Sequence, residues 1–384
     1  MLADLIPLYP LYALLFADSG VSGGQISALF AIWSATGIVA EVPTGALADR
    51  FSRRGALVAA GLVQASGYAV WCLAPTFWGF AAGFVLWGLG GALASGSREA
   101  LLYDGLRAVG AQSHYARVNG WVVGAGLLAE LPTAVGAAAL FTAGGYGAVG
   151  WVSAGVCVLA AAVAARLPES ARPESARPES AHAESAPSEP ARSAQPAGTD
   201  DVGGYVETVR AGIHAIAAVP AARAVCGAAV LLGAVDALEE YFPLLARGAG
   251  VAVAAVPLAL VPIGLLGALG AGLGGRAHQL RPVALGALLG AGMAALAAAG
   301  AISEPVGLLA IGAFYALYRA VLVVVDARVQ DRIASPARAT ATSVVALGTD
   351  VASFGLYAAW TVGGLGLVAT LGALIAVGLP RMLR

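Results

Sequence analysis

Apolar residues run through this chain in blocks of roughly bilayer length, interrupted by short turns where the polar and charged residues collect. A hydrocarbon core takes about 20 residues of helix. Runs that meet this length lie near 2–18, 23–44, 56–74, 77–103, 117–141 and 146–165. A second set lies near 223–246, 252–274, 282–300, 306–328, 338–359 and 362–380. The pattern predicts an all-α membrane protein of twelve transmembrane helices, called spans 1 to 12 below, in two groups of six.

Composition supports a lipid environment. The 384 residues are 59% hydrophobic and only 11% charged, with a mean hydropathy of +0.82. A soluble domain carries about a quarter charged residues, so most of this apolar surface must face lipid rather than a core. The net charge of −1 leaves no footprint for nucleic acid. Cys72, Cys157 and Cys226 sit inside apolar runs without metal-ligand or disulfide spacing, which fits buried inert thiols. No basic stretch precedes the first run, so a cleavable signal peptide is not expected.

Lysine is absent, and arginine placement sets the orientation. With the N-terminus inside, 18 of the 21 arginines fall on inner loops, flanks or the central linker. Arg247 alone falls outside, and Arg98 and Arg319 lie within spans. A multi-pass protein of the cell (inner) membrane with both termini cytoplasmic is expected.

The segment from 166 to 203 is a degenerate five-residue repeat of Pro, Glu, Ser and Ala with little to bury. Such composition predicts a disordered cytoplasmic tether. The chain therefore divides into a six-helix bundle at 1–165, a linker at 166–203, and a second bundle at 204–384 that starts with an amphipathic segment.

The halves read as copies. "YPLYA" at Tyr9 matches "FPLLA" at Phe242, "EALLYD" at Glu99 matches "DARVQD" at Asp326, and "YARVNG" at Tyr115 matches "PARATATS" at Pro336. Three weak matches in one order argue for duplication, the plan of many secondary transporters. The same alignment sets Met1 opposite a position some ten residues inside span 7. A true start upstream of Met1, or a chain lacking its first turns, is therefore expected.

Between spans 2 and 3, "GALADRFSRR" concentrates charge at one turn. It resembles the signature loop of the major facilitator superfamily, with Gly45, Leu47, Ala48, Asp49, Arg50, Arg53 and Arg54 matching and Ser52 standing where that family usually has glycine. The resemblance implies the major facilitator fold of two pseudo-symmetric bundles. It also implies a conformational latch: Asp49 near the cytoplasmic end of span 11, and Arg53 reaching Asp104 at the end of span 4. A carboxylate is favoured against a helix N-terminus, and span 11 begins on that side.

Charge inside the membrane is costly, about 2.5 to 3.5 kcal/mol per residue on insertion scales, and marks functional candidates. Those of this chain are Glu41, Arg98, Glu99, Glu130, Asp236, Glu239, Glu240, Arg319 and Asp350. Glu130 and Asp350 occupy repeat-related mid-depth positions. Arg319 is expected to pair with Asp350 or with an acid of span 7. The surplus carboxylates must be protonated, solvated by a cavity or balanced by a cation, and desolvation favours protonation. All fall on spans 2, 4, 5, 7, 10 and 11, and the resemblance places those spans around or beside the cavity.

Drug–proton antiporters of that superfamily carry a Gly-Pro-rich motif on span 5. Gly120, Gly124, Pro132 and Gly136 fit it, and Leu131 replaces an expected glycine. The expectation is a monomeric secondary transporter working by alternating access. It would export amphipathic small molecules in exchange for protons, with the proton gradient as energy source and no cofactor, and with membrane lipid as its other partner. Proton-coupled import or lipid movement on the same fold is the alternative, and a non-transporting sensor or scaffold is the second. His114, His182, His214 and His278 lie away from the acids, and no nucleophile elbow or zinc motif is present, so an enzyme is not expected.

Overall fold

The computed structural model describes residues 4–50, 52–168, 210, 213–214, 219–277, 279–302, 304–333 and 338–384. From residue 169 onward the expected tether lies outside the described residues, as does His278. Among the described residues every regular element is helical. Nine helices among the described residues are long and apolar enough to cross a membrane, and two of them, of 48 and 42 residues, each contain two spans. The first span is too short to be counted with them, which completes twelve.

Glycine breaks the two long helices. Tyr115–Ala164 carries spans 5 and 6 and is broken at Gly144 and Gly145, the latter with φ +60°. Arg338–Met382 carries spans 11 and 12 and is broken at Gly364, with φ +56°. Left-handed backbone suits glycine because a Cβ would crowd the following carbonyl. The duplication predicted from short sequence matches is thus repeated in backbone conformation.

Spans 1 and 7 share a second device. Span 1 is a 3-10 turn, Tyr9–Leu11, followed by helix Tyr12–Asp18. Span 7 is helix Pro220–Asp236, a 3-10 turn Ala237–Tyr241, and helix Phe242–Gly248. The repeated proline, Pro10 or Pro243, lacks an N–H and disfavours helix in the residues before it, so each span is interrupted at the same point. Both end on a left-handed glycine, Gly20 or Gly250, with matching capping bonds: Gly20 N–H to the Ala17 carbonyl, and Gly250 N–H to that of Arg247. Span 7 was expected to be one continuous helix, and its interruption falls at its three acids.

Packing follows the duplication. In the first half, span 2, Gly23–Arg50, and span 3, Arg53–Leu73, pack on span 4, Phe77–Ala108, and span 3 packs on the helix carrying spans 5 and 6. In the second half, span 8, Val256–Ala277, and span 9, Pro282–Ala301, pack on span 10, Gly307–Arg332. Ser52 and Thr76 cap spans 3 and 4 by accepting the N–H of Gly55 and Gly79. The halves meet along two seams, span 2 with span 11 and span 5 with span 8. Leu128, Trp78 and Val362 stand exposed on the outside, the surface expected to face lipid.

Close helix approach depends on small residues, as in membrane bundles generally. A Cβ at Gly270 of span 8 would come within 2.0 Å of the Ala316 carbonyl oxygen of span 10, and no side-chain motion relieves a backbone contact. Gly270→Ala is expected to destabilise the second half by about 1–3 kcal/mol, read as a lower unfolding temperature of the purified protein. Gly272→Ala, where a Cβ would meet nothing within 4 Å, is the control and should leave that temperature unchanged.

Candidate functional site

Between the halves lies a cavity of about 560 Å³. Span 1 contributes Tyr9, span 2 Trp33, Ser34 and Glu41, and span 4 a strip of small residues including Gly88, Gly91 and Ser95. Span 7 contributes Asp236, Glu239 and Glu240, and span 11 Thr349, Asp350, Ser353 and Tyr357. Of the acids expected to matter, Glu41, Asp236, Glu239, Glu240 and Asp350 therefore line one cavity. Among the described lining residues there is no arginine or histidine.

The break in span 7 places its three carboxylates there. Asp236 ends the helix Pro220–Asp236, and Glu239 and Glu240 sit in the 3-10 turn that follows. Span 10 supplies the compensating groups. Arg319 donates from Nη1 to both carboxylate oxygens of Asp236 at 3.2 Å, and its guanidinium lies 5.7 Å from the ring centre of Tyr315. Tyr315 in turn donates its hydroxyl to Glu239 at 2.8 Å. Tyr318 donates to the Leu232 carbonyl at 2.9 Å and pins the two spans together. The partner of Arg319 is thus the span 7 acid, one of the two arrangements the sequence left open. Glu41 and Asp350, from spans 2 and 11, are close enough to act on one another electrostatically.

Three further candidates stand apart from the cavity wall. Glu130 lies on the seam between spans 5 and 8, where a Cβ added at Gly264 would be 3.2 Å from its Oε2. Arg98 and Glu99 are exposed on span 4 and do not line the cavity.

The signature loop is described in part. Arg53 forms an ion pair with Asp104, which ties the start of span 3 to span 4 within the first half, and Arg54 donates to the Leu167 carbonyl at 3.4 Å. Gly45, Asp49 and Arg50 belong to the last turns of helix Gly23–Arg50, and their side chains lie outside the described residues.

Opposite the arginine-rich loops, both halves close over the cavity. Ser27 and Tyr241 share a hydrogen bond of 2.8 Å, Phe30 packs edge-on to Tyr241 at 5.3 Å, and Tyr241 stacks on Trp360 at 4.1 Å. Beyond them Asp18, at the end of span 1, pairs with Arg247 at the end of span 7 and accepts the Tyr146 hydroxyl at 2.6 Å. Sequence reasoning missed this seal, although Arg247 stood out as the one arginine on that side. It also left Tyr9 and Trp33 unassigned, because aromatic residues in apolar runs carry no sign of which way they face.

A sequence profile of the Major Facilitator Superfamily matches residues 2–357. Comparison with curated protein sequences gives no match. Among solved structures, a D-xylose–proton symporter superposes with TM-score 0.71 at 14% identity, covering 100% of this chain and 96% of the other. A nucleoside transporter, NupG, gives TM-score 0.72 at 11% identity, covering 100% and 98%. A bacterial homologue of the human lysosomal transporter Spinster, inward-facing and occupied, gives 0.65 at 17% identity, covering 100% and 89%. At these identities the likeness is one of fold.

Proposed function

The chain belongs to the Major Facilitator Superfamily, and on that premise we propose that it exports amphipathic small molecules in exchange for protons. As a multi-pass transporter with two helical halves around a cavity, it moves small solutes by secondary transport and is not an enzyme. The observation that carries the finer reading is the charge balance of the cavity. Five carboxylates line it, and among the described residues the cation paired with any of them is Arg319, bound to Asp236. A cavity so acidic at the depth of the bilayer takes up positive charge, either as protons or on the cargo.

The seal supports alternating access. Contacts among Asp18, Arg247, Tyr146, Ser27 and Tyr241 close one face, and rocking of the halves would break them while the arginine-rich face closes. With the arginine-rich face cytoplasmic, as charge placement supports, the described state is shut towards the outside. The protein then resides in the inner membrane with both termini cytoplasmic and works as a monomer surrounded by lipid. Pro132 inside span 5, with Gly120, Gly124 and Gly136, supports export over import.

The test is flux in proteoliposomes holding the purified full chain. With the vesicle interior acidified and the cytoplasmic face outward, an amphipathic dye should accumulate inside, and a protonophore should abolish the accumulation. Accumulation that ignores the gradient would refute proton coupling. Dye movement out of the vesicles as protons leave would assign import.

A further inference from the structure

The carboxylates of the cavity differ in what holds them. Asp236 is bound by Arg319, and Glu239 accepts from Tyr315. Glu240 is half-buried, with part of its surface open to the cavity, and it has no hydrogen-bond or ion-pair partner among the described residues. A carboxylate in such a place is expensive unless something positive comes to it.

Its neighbours indicate what kind of cation. Tyr9 and Tyr357 share the cavity wall with Glu240 and are close enough to act on it electrostatically. Trp33 lines the same cavity. These rings are held in place from behind: Tyr9 and Trp33 both pack on Trp87, at 6.4 and 5.1 Å, and Tyr357 packs on Phe30 at 5.9 Å. The rings come from spans 1, 2 and 11 and the carboxylate from span 7, so the group spans both halves. Helix Pro220–Asp236 also ends at this point and directs the negative end of its dipole towards it. Among the described residues no set of three ligating side chains suits a metal ion. Aromatic faces attract weakly hydrated organic cations, and a carboxylate among them adds the counter-charge.

We propose that Glu240 anchors an alkylammonium group among Tyr9, Trp33 and Tyr357, so that the exported amphiphiles are monovalent lipophilic amines. This rests on the transport reading above and adds to it the charge of the cargo. The strip of small residues on span 4 leaves room for the apolar tail.

The experiment is calorimetric titration of the full chain in nanodiscs with ligands of one tail and different heads, each below its micellar concentration. Octyltrimethylammonium should bind, and neutral octyl glucoside and anionic octyl sulfate should bind at least about tenfold more weakly. Glu240→Gln should lose about tenfold or more for the cation alone, and Glu240→Asp should recover part of that loss. Equal affinity for the three heads, or a folded Glu240→Gln with unchanged cation affinity, would overturn the proposal. The head-group comparison uses the wild-type chain and so does not depend on any variant folding. Octylphosphocholine carries the same trimethylammonium beside a phosphate. Weaker binding of it would assign a free amine, and equal binding would assign the same chemistry to a lipid headgroup. Gradient-driven movement of a neutral amphiphile with no binding of the cation would refute the alkylammonium proposal and leave export standing. Cation binding without gradient-driven movement of any amphiphile would refute export and support Glu240 as an alkylammonium site.

Discussion

Replacing Arg319 by glutamine should lower the stability of the purified protein by about 2–4 kcal/mol. The range lies below that for fully buried pairs because the cavity hydrates part of both side chains. Arg319 reaches both oxygens of Asp236 from span 10, and its removal leaves a carboxylate at a helix C-terminus beside Glu239 and Glu240. That end of a helix already disfavours negative charge. The loss should therefore come from an orphaned charge rather than from a missing contact, and the double variant Arg319→Gln/Asp236→Asn should regain most of it. Thermal unfolding of the single and double variants measures the difference. If the double variant is as unstable as the single, the ion pair is not what holds span 10 to span 7 and the tyrosines carry that task. Tyr318, bonded to the Leu232 carbonyl, would be the first of these to test.

The fold was legible because its signals are local and repeated. Span length and the paired motifs at Tyr9 and Phe242 follow from the bilayer and from duplication, and they agree with one another. The acids were legible as well, since a charge in an apolar run is conspicuous in sequence. What the sequence could not give was which acids share a space. Glu130 and Asp350 occupy repeat-related positions, yet Asp350 lines the cavity and Glu130 lies against Gly264 on the opposite seam. The two seams carry different side chains, so equivalent positions in the repeat are not equivalent in chemistry. The break of span 7 was hidden for another reason. Pro243 was visible, but a proline in a membrane helix either kinks it or starts a new segment, and only packing decides between these. The outer seal depends on Asp18, Tyr146 and Arg247, which are more than a hundred residues apart from one another and share no periodicity.

Neutralising Asp350 should separate transport from binding. A proton carrier must face the cavity, must lack a permanent partner, and must feel the cargo. Asp236 fails the second condition because Arg319 holds it, and Glu239 is tied to Tyr315. Glu130 fails the first. Asp350 meets all three: it lines the cavity, and its charged neighbour is another carboxylate, Glu41, across the seam of spans 2 and 11. Two carboxylates that face one cavity repel unless a proton or a cation lies with them. A cation arriving at Glu240 adds positive charge to the same cavity and so favours release of that proton, which is the competition an exchanger requires. Asp350→Asn should therefore cut gradient-driven flux in proteoliposomes by tenfold or more, about 1.4 kcal/mol or more of lost coupling. It should spare substrate exchange between equal pH values, where no proton has to move. Glu130, Asp236 and Glu239, each changed to its amide, complete the series. Asp236→Asn has to be read against its stability, since it leaves Arg319 unpaired. If all four variants fold and keep full response to the pH gradient, protons do not couple through these residues. If Glu130→Gln alone loses the response, the coupling acid lies on the seam of spans 5 and 8, and Gly264 marks the surface across which it works.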